Sequence, residues 1–325
     1  MAFDTTVFIP LDPYAVYDLV TQPERLRRWK TVASRIDLQV GGEYRWTITP
    51  GHSAAGNVVD LIPGKKVTLS WGWEGQSDLP PGASIVTITL EGVSGGTNLR
   101  LVHDGLNAEQ AAGHAQGWDH YLARLVAYSA TGQDVADPWK YAPENLDAFS
   151  ILEAVLVTTQ QILANVTPSD FEKPTPCPEM NVGQLFEHLY RAVSNLTRGL
   201  GLELTDDSQL TPEVRFANLA ARTIEAFRLQ GLTDDIDLRF AIFPAPIVSG
   251  LIAQEILIHG WDIAIATNQP YEISDVVANY VLSNSKRIIS EDFRARGAFG
   301  PAIAVSGALP PLQQLIAFTG RKIDE

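Results

Sequence analysis

Only one cysteine, Cys177, occurs in 325 residues, which excludes an intramolecular disulfide and fits a reducing compartment. Basic residues are also scarce: 24 Lys and Arg stand against 38 Asp and Glu, a formal net charge of -14. That sign argues against sequence-independent binding to nucleic acid, because phosphate needs a basic face. The short run Arg25, Arg27, Arg28, Lys30 reads as one solvated helix end and does not reverse this. No stretch approaches ~18 consecutive apolar residues, and the N-terminus lacks the basic, apolar and cleavage regions of a secretory signal. These absences predict a cytoplasmic protein without a membrane partner. Repeats, low-complexity tracts and a phosphate-binding loop are missing too, and Gly95-Gly96 reads as a hairpin turn with no lysine-serine signature after it.

What is present is enough apolar material for two cores, with 45% hydrophobic and 19% charged residues. Residues 1 to 132 carry the punctuation of a β-rich domain. The segments IDLQVGGEYRWTI, GNVVDLI, VTLSWGW, SIVTITLEG and TNLRLVH are separated by glycine and proline turns, a spacing that favours an antiparallel meander. Asp12-Pro13 opens a helix with an N-cap and a first-turn proline. From about residue 108 to 130, Ala111, Ala115, Trp118, Leu122 and Leu125 repeat at helical spacing and give one face able to cover a sheet. Strand, short helices, meander and long closing helix is the order of a helix-grip fold, with an antiparallel sheet around a long C-terminal helix. Tyr44, Trp46, Trp71, Trp73 and Trp118 either line an apolar cavity in that fold or fill its core.

Residues 133 to 143 are proline-rich and aperiodic, and predict a linker. Residues 144 to 325 then turn almost wholly helical. Helices are predicted at about 144 to 166, 181 to 200, 211 to 229, 248 to 267 and 272 to 290, with a short one near 309 to 319, and the long ones suggest an all-α up-and-down bundle. The chain as a whole is therefore of the α+β class.

His188 falls on the inward stripe of the second of these helices, with Leu185, Leu189 and Leu196. In LIAQEILIHGWDIAIA, Ile252, Glu255, His259, Asp262 and Ala266 share one face of a strongly apolar helix. An ionised carboxylate there costs several kcal/mol unless compensated. Glu255 and His259, one turn apart, can bind one cation, and His188 from a facing helix completes a His₂Glu set with an open position, suited to zinc. The alternative is a buried polar network of Glu255, His259 and Asp262 without an ion, and spacing alone leaves both readings open. Cys177, between Pro176 and Pro178, reads as part of a fixed turn.

Two resemblances bear on these choices. TPCPEMNVGQLFEHLYRAV, with QEILIHGWDIAIATNQ some sixty residues later and the tail FGPAIAVSGALPPLQQLIAFTGR, resembles the DinB-like metal-binding four-helix bundles, in the branch containing mycothiol-dependent maleylpyruvate isomerase. The resemblance implies a divalent metal, zinc first and nickel as the alternative, on His188, Glu255 and His259. It places Asp262 as a supporting acceptor or proton carrier, and implies transferase or isomerase chemistry on a small molecule with a low-molecular-weight thiol. Two departures stand out: the isomerase carries a further C-terminal domain where this chain has its extra domain in front, and Glu179-Met180 replace the Gly-Trp of many relatives. The front domain, through FIPLDPYAVYDLVTQPERLRRW, VGGEYRW, VTLSWGWEG, TLEGVSGGTNLRLVHDGL and GWDHYLARL, resembles the helix-grip superfamily of START and pollen-allergen proteins, in the branch of chaperone-ATPase-activator homologues. That likeness gives the second functional expectation, a non-catalytic binder of an apolar ligand whose bundle is secured by metal. A homo-oligomer is compatible with either.

Overall fold

The computed structural model describes residues 2–133, 137–140, 143, 145–202, 205–239, 241–295, 299–306 and 308–323. It divides into two compact units, residues 1–137 and 138–325. The predicted linker, 133 to 143, falls partly outside the described residues, at 134–136, 141 and 142.

In the first unit, β1 (Phe3–Ile9) leads through α1 (Pro13–Thr21) and α2 (Pro23–Trp29) into β2 (Ala33–Ile36), β3 (Glu43–Thr49), β4 (His52–Ile62), β5 (Lys66–Trp71), β6 (Ser84–Val93) and β7 (Gly96–Asp104), and α3 (Ala108–Thr131) closes it. Asp12 caps α1 by accepting from the Tyr14 and Ala15 amides, as its position before Pro13 implies. A reciprocal Asn107–Gln110 capping box starts α3, and Gly132, with φ of 69°, ends it in the left-handed region that favours glycine.

All seven strands form one antiparallel sheet in the order β1-β7-β6-β5-β4-β3-β2. β1 pairs with the last strand of the meander, so the chain's first strand is held by its most distant partner. Trp118, Tyr121, Leu122 and Leu125 of α3 bury against Leu69, Trp71, Leu99 and Leu101 of the sheet in a single core. Gly56 has no room for a side chain, since a Cβ would meet the Ser70 carbonyl oxygen at 2.1 Å.

The second unit is helical. Its elements are α4 (Ala148–Ala164), α5 (Val182–Arg198), α6 (Pro212–Gln230), a small hairpin of β8 (Asp235–Asp237) and β9 (Ile242–Pro244), α7 (Ala245–Ala266), α8 (Asp275–Ile288), α9 (Glu291–Ala295) and α10 (Pro311–Phe318). Helices α4 and α5 each pack against α6 and α7, while α8 packs on α7 and α10. Asn181 caps α5 in a reciprocal box with Gln184. Helix α7 is long and apolar enough to cross a membrane, but 83% of its apolar window is buried inside the fold, where it serves as the central helix.

Candidate metal centre in the helical unit

Two helices supply the candidate ligands. On α5, Leu185 and Leu189 are fully buried and fix the helix's rotation, leaving His188 at the edge of the same stripe with 38% of its side chain exposed. On α7, Ile252, Ile256 and Ile263 are fully buried and bring Glu255, His259 and Asp262 to one side. The packing of α5 on α7 then closes the set.

Glu255 Oε2 lies 3.5 Å from His259 Nε2 and 4.0 Å from His188 Nε2. The two imidazoles stand edge to face, 5.0 Å between centroids. One ligand atom from each of His188, Glu255 and His259 falls within 4.8 Å of the others. Ligands about 2.1 Å from a common tetrahedral ion stand about 3.4 Å apart, so a small contraction brings the three donors to zinc-like geometry. Exposure decreases from His188 through Glu255, at 22%, to His259, at 9%, so the set opens on the His188 side.

Behind His259 lies a support that local sequence does not reveal. His259 Nδ1 donates to Asp262 Oδ2 at 3.0 Å, which leaves Nε2 facing Glu255. Fully buried Asp262 also accepts two hydrogen bonds from Arg321, each of 2.7 Å. A carboxylate in this position fixes the ring's orientation and raises its basicity. Arg321 follows α10, 59 residues after Asp262, and the only hint of it in the sequence is a cation near the end of a mostly apolar tail.

The electrostatics follow from these contacts. Burial pushes the Glu255 carboxyl up, but the adjoining His259 and His188 outweigh burial and hold it below the usual carboxylate range. Burial pulls the His259 imidazole down, and Asp262 and Glu255 more than reverse that. His188 is pulled down, by burial first and then by His259, which keeps it a neutral donor.

Cys177 does not stand apart as its sequence neighbourhood suggests. A thiol donor from Cys177, an oxygen of Asp262 and a nitrogen of His259 also fall within 4.8 Å of one another. This second group is the poorer ligand set, because both Asp262 oxygens are engaged by Arg321 and His259. Burial, followed by the nearby Asp262 carboxylate, pushes the thiol's pKa up and disfavours the thiolate a metal needs.

In the first unit, the structure brings all five predicted aromatics together. Tyr44, Trp46, Trp71 and Trp118 are buried, Trp73 is half-buried, and successive ring centroids lie 4.8 to 6.1 Å apart. The placement of Lys30 corrects the sequence reading. It is no solvated helix end: it is 2% exposed, with Nζ inside this aromatic cluster. Trp29 precedes it at the end of α2, and burying that indole carries the next side chain inward. Two histidines adjoin the cluster: His103 is hydrogen-bonded to Trp118 and Ser84, and His114 to Trp73 and the Gln110 carbonyl.

Residues 10–130 match the family model described as Activator of Hsp90 ATPase homolog 1-like protein. An AHSA1-like protein from Rhizobium etli, solved in solution, is 36% identical, with 45% of this chain and 91% of that one covered and a TM-score of 0.37. The Aha1 dimer from Colwellia psychrerythraea is 20% identical, covering 41% and 98% of the two chains, with a TM-score of 0.37. An uncharacterized protein of Mycobacterium tuberculosis is 27% identical over 165 residues, which make up 50% of this chain and 91% of the relative. With its seven-stranded antiparallel sheet closed by a long C-terminal helix, the N-terminal unit is an AHSA1-like helix-grip domain.

Proposed function

We propose that the helical unit is a DinB-like four-helix bundle that binds one divalent transition metal, zinc by preference and nickel as the alternative, through His188, Glu255 and His259. In this reading the chain is a cytoplasmic metal-dependent enzyme of the transferase or isomerase type, acting on a small molecule with a low-molecular-weight thiol. The supporting observation is the convergence of two imidazoles and a carboxylate within 4.8 Å, with the more exposed ligand on one side. Two nitrogens and one oxygen suit borderline metals better than calcium or magnesium.

A metal held there would supply Lewis acidity and favour the thiolate form of a bound thiol. The chain's own residues do the rest. Asp262 keeps the His259 proton on Nδ1 and Nε2 free for ligation, and Arg321 holds Asp262 in place. His188, on the open side, borders the approach of substrate. Because both oxygens of Asp262 are engaged and the residue is fully buried, it fits the supporting role better than that of a proton carrier. The thiol and the reaction type come from resemblance. The test is a thiol-conjugation screen on the metal-loaded protein, with and without chelator, in which chelation must abolish turnover.

The second reading, a binder of an apolar ligand, is favoured by one observation in the first unit: an aromatic cluster that surrounds an unpaired buried amine.

A further inference from the structure

The interior of the helix-grip domain contains an amine that its packing does not require. Lys30 Nζ lies 3.6 Å from the ring centroid of Trp118, 4.7 Å from Trp71, 4.8 Å from Trp46 and 5.9 Å from Trp29. Among the described residues no hydrogen bond reaches it, and the indole N–H groups of Trp46 and Trp71 are likewise buried without an acceptor there. A methionine would fill the volume of the four-carbon stem without leaving a polar atom unpaired.

The neighbouring titratable groups are already committed. His103 accepts the Trp118 indole N–H at Nδ1, 3.1 Å away, so its Nε2 donates to Ser84 Oγ at 2.9 Å. His114 accepts from the Trp73 indole at Nε2, 3.1 Å away, and its Nδ1 donates to the Gln110 carbonyl at 2.7 Å. Both rings are thus neutral with both nitrogens occupied, and neither offers Lys30 a counter-charge. Burial alone pushes the Lys30 pKa well below its ordinary value. A desolvated amine of this kind gives up its proton more readily than an exposed one, and the lone pair so freed is the condition for attack on a carbonyl.

We infer that Lys30 is a covalent capture site for a small apolar aldehyde or ketone, held as an imine among the indole rings. The Nζ lone pair forms the bond to the carbonyl carbon, both amine protons pass to the carbonyl oxygen, and that oxygen leaves as water. Addition of water reverses the step, so no oxidant or reductant is needed. The aromatic walls set the apolar class, and the unpartnered Trp46 and Trp71 N–H groups are donors available to the carbonyl oxygen as it is attacked. Residues 108–117 at the start of α3 include no buried residue, and half-buried Trp73 and His114 form that margin of the cluster. The inference rests on the first unit alone and is independent of the metal.

The full-length protein is incubated with benzaldehyde near neutral pH, reduced with cyanoborohydride and mapped by peptide mass spectrometry. The expected result is a benzyl adduct on Lys30 at roughly tenfold or more the level on exposed Lys65, Lys286 or Lys322, reflecting the higher free-amine fraction of a desolvated lysine. Lys30→Met should remove that adduct and leave the low surface labelling unchanged. If the map of the wild-type chain shows the surface lysines modified and the Lys30 peptide bare, the inference is overturned, whether or not the variant folds.

Discussion

His259 and Asp262, one turn apart on α7, are joined by a 3.0 Å hydrogen bond from Nδ1 to a carboxylate oxygen. That bond decides which nitrogen of His259 faces Glu255. Replacing the acceptor should therefore reach the metal without touching a ligand. Asp262→Asn is expected to lower metal affinity by about 10- to 100-fold, the usual effect of losing such a support. Competition against a chromogenic chelator measures it, and unchanged affinity would leave Asp262 with a packing role only.

Arg321 and Asp262 form a buried, doubly hydrogen-bonded pair. Removing the cation alone leaves the buried Asp262 carboxyl with the His259 hydrogen bond but no paired cation, so Arg321→Met should destabilise the helical unit by about 3–5 kcal/mol. Combining it with Asp262→Asn should recover part of that loss. Urea unfolding of the two variants and the double variant tests the coupling, and simple additivity would contradict it.

Gly260 adjoins His259 at a point where α7 meets two other side chains. An added Cβ would stand 2.3 Å from Thr159 Oγ1 and 3.1 Å from the Tyr271 ring. Gly260→Ala is expected to cost roughly 1–3 kcal/mol through overpacking, despite alanine's better helix propensity. Thermal denaturation gives the sign directly, and a stabilised variant would mean that Thr159 and Tyr271 yield freely.

The helix-grip domain should weaken in mild acid. Burial brings the His103 pKa down from 6.5 to about 3, and His114 is lowered for the same first cause. The unfolded chain therefore takes up these protons first. The contribution of His103 is fully present above about pH 6.5 and is lost as pH falls toward about 3, with a slope of up to ~1.4 kcal/mol per pH unit, and His114 adds in the same direction. Melts followed through the fluorescence of the tryptophan cluster should show that slope, and a flat profile between about pH 6.5 and 4 would exclude neutral, buried histidines.

Local sequence carried the elements well because their causes are local. Asp12-Pro13, Asn107, Asn181 and Gly132 end or begin helices by capping chemistry within a few residues. The candidate trio could be picked out because Glu255 and His259 share a face at helical spacing and His188 lies on an apolar stripe. The rest depended on contacts that no window contains. Arg321 meets Asp262 across 59 residues, Cys177 reaches the same cluster from the turn before α5, and Lys30 is turned inward by the packing of Trp29 although its neighbours Arg25, Arg27 and Arg28 suggest a solvated end.

The most direct measurement is elemental analysis of the purified protein and of His188→Ala and His259→Ala. About one divalent ion per chain is expected in the parent protein, because the three donors form one site. Both variants should be almost free of metal, with the circular dichroism of the β-rich unit retained. Full metal occupancy in both variants would contradict the assignment and return Glu255, His259 and Asp262 to a buried polar network.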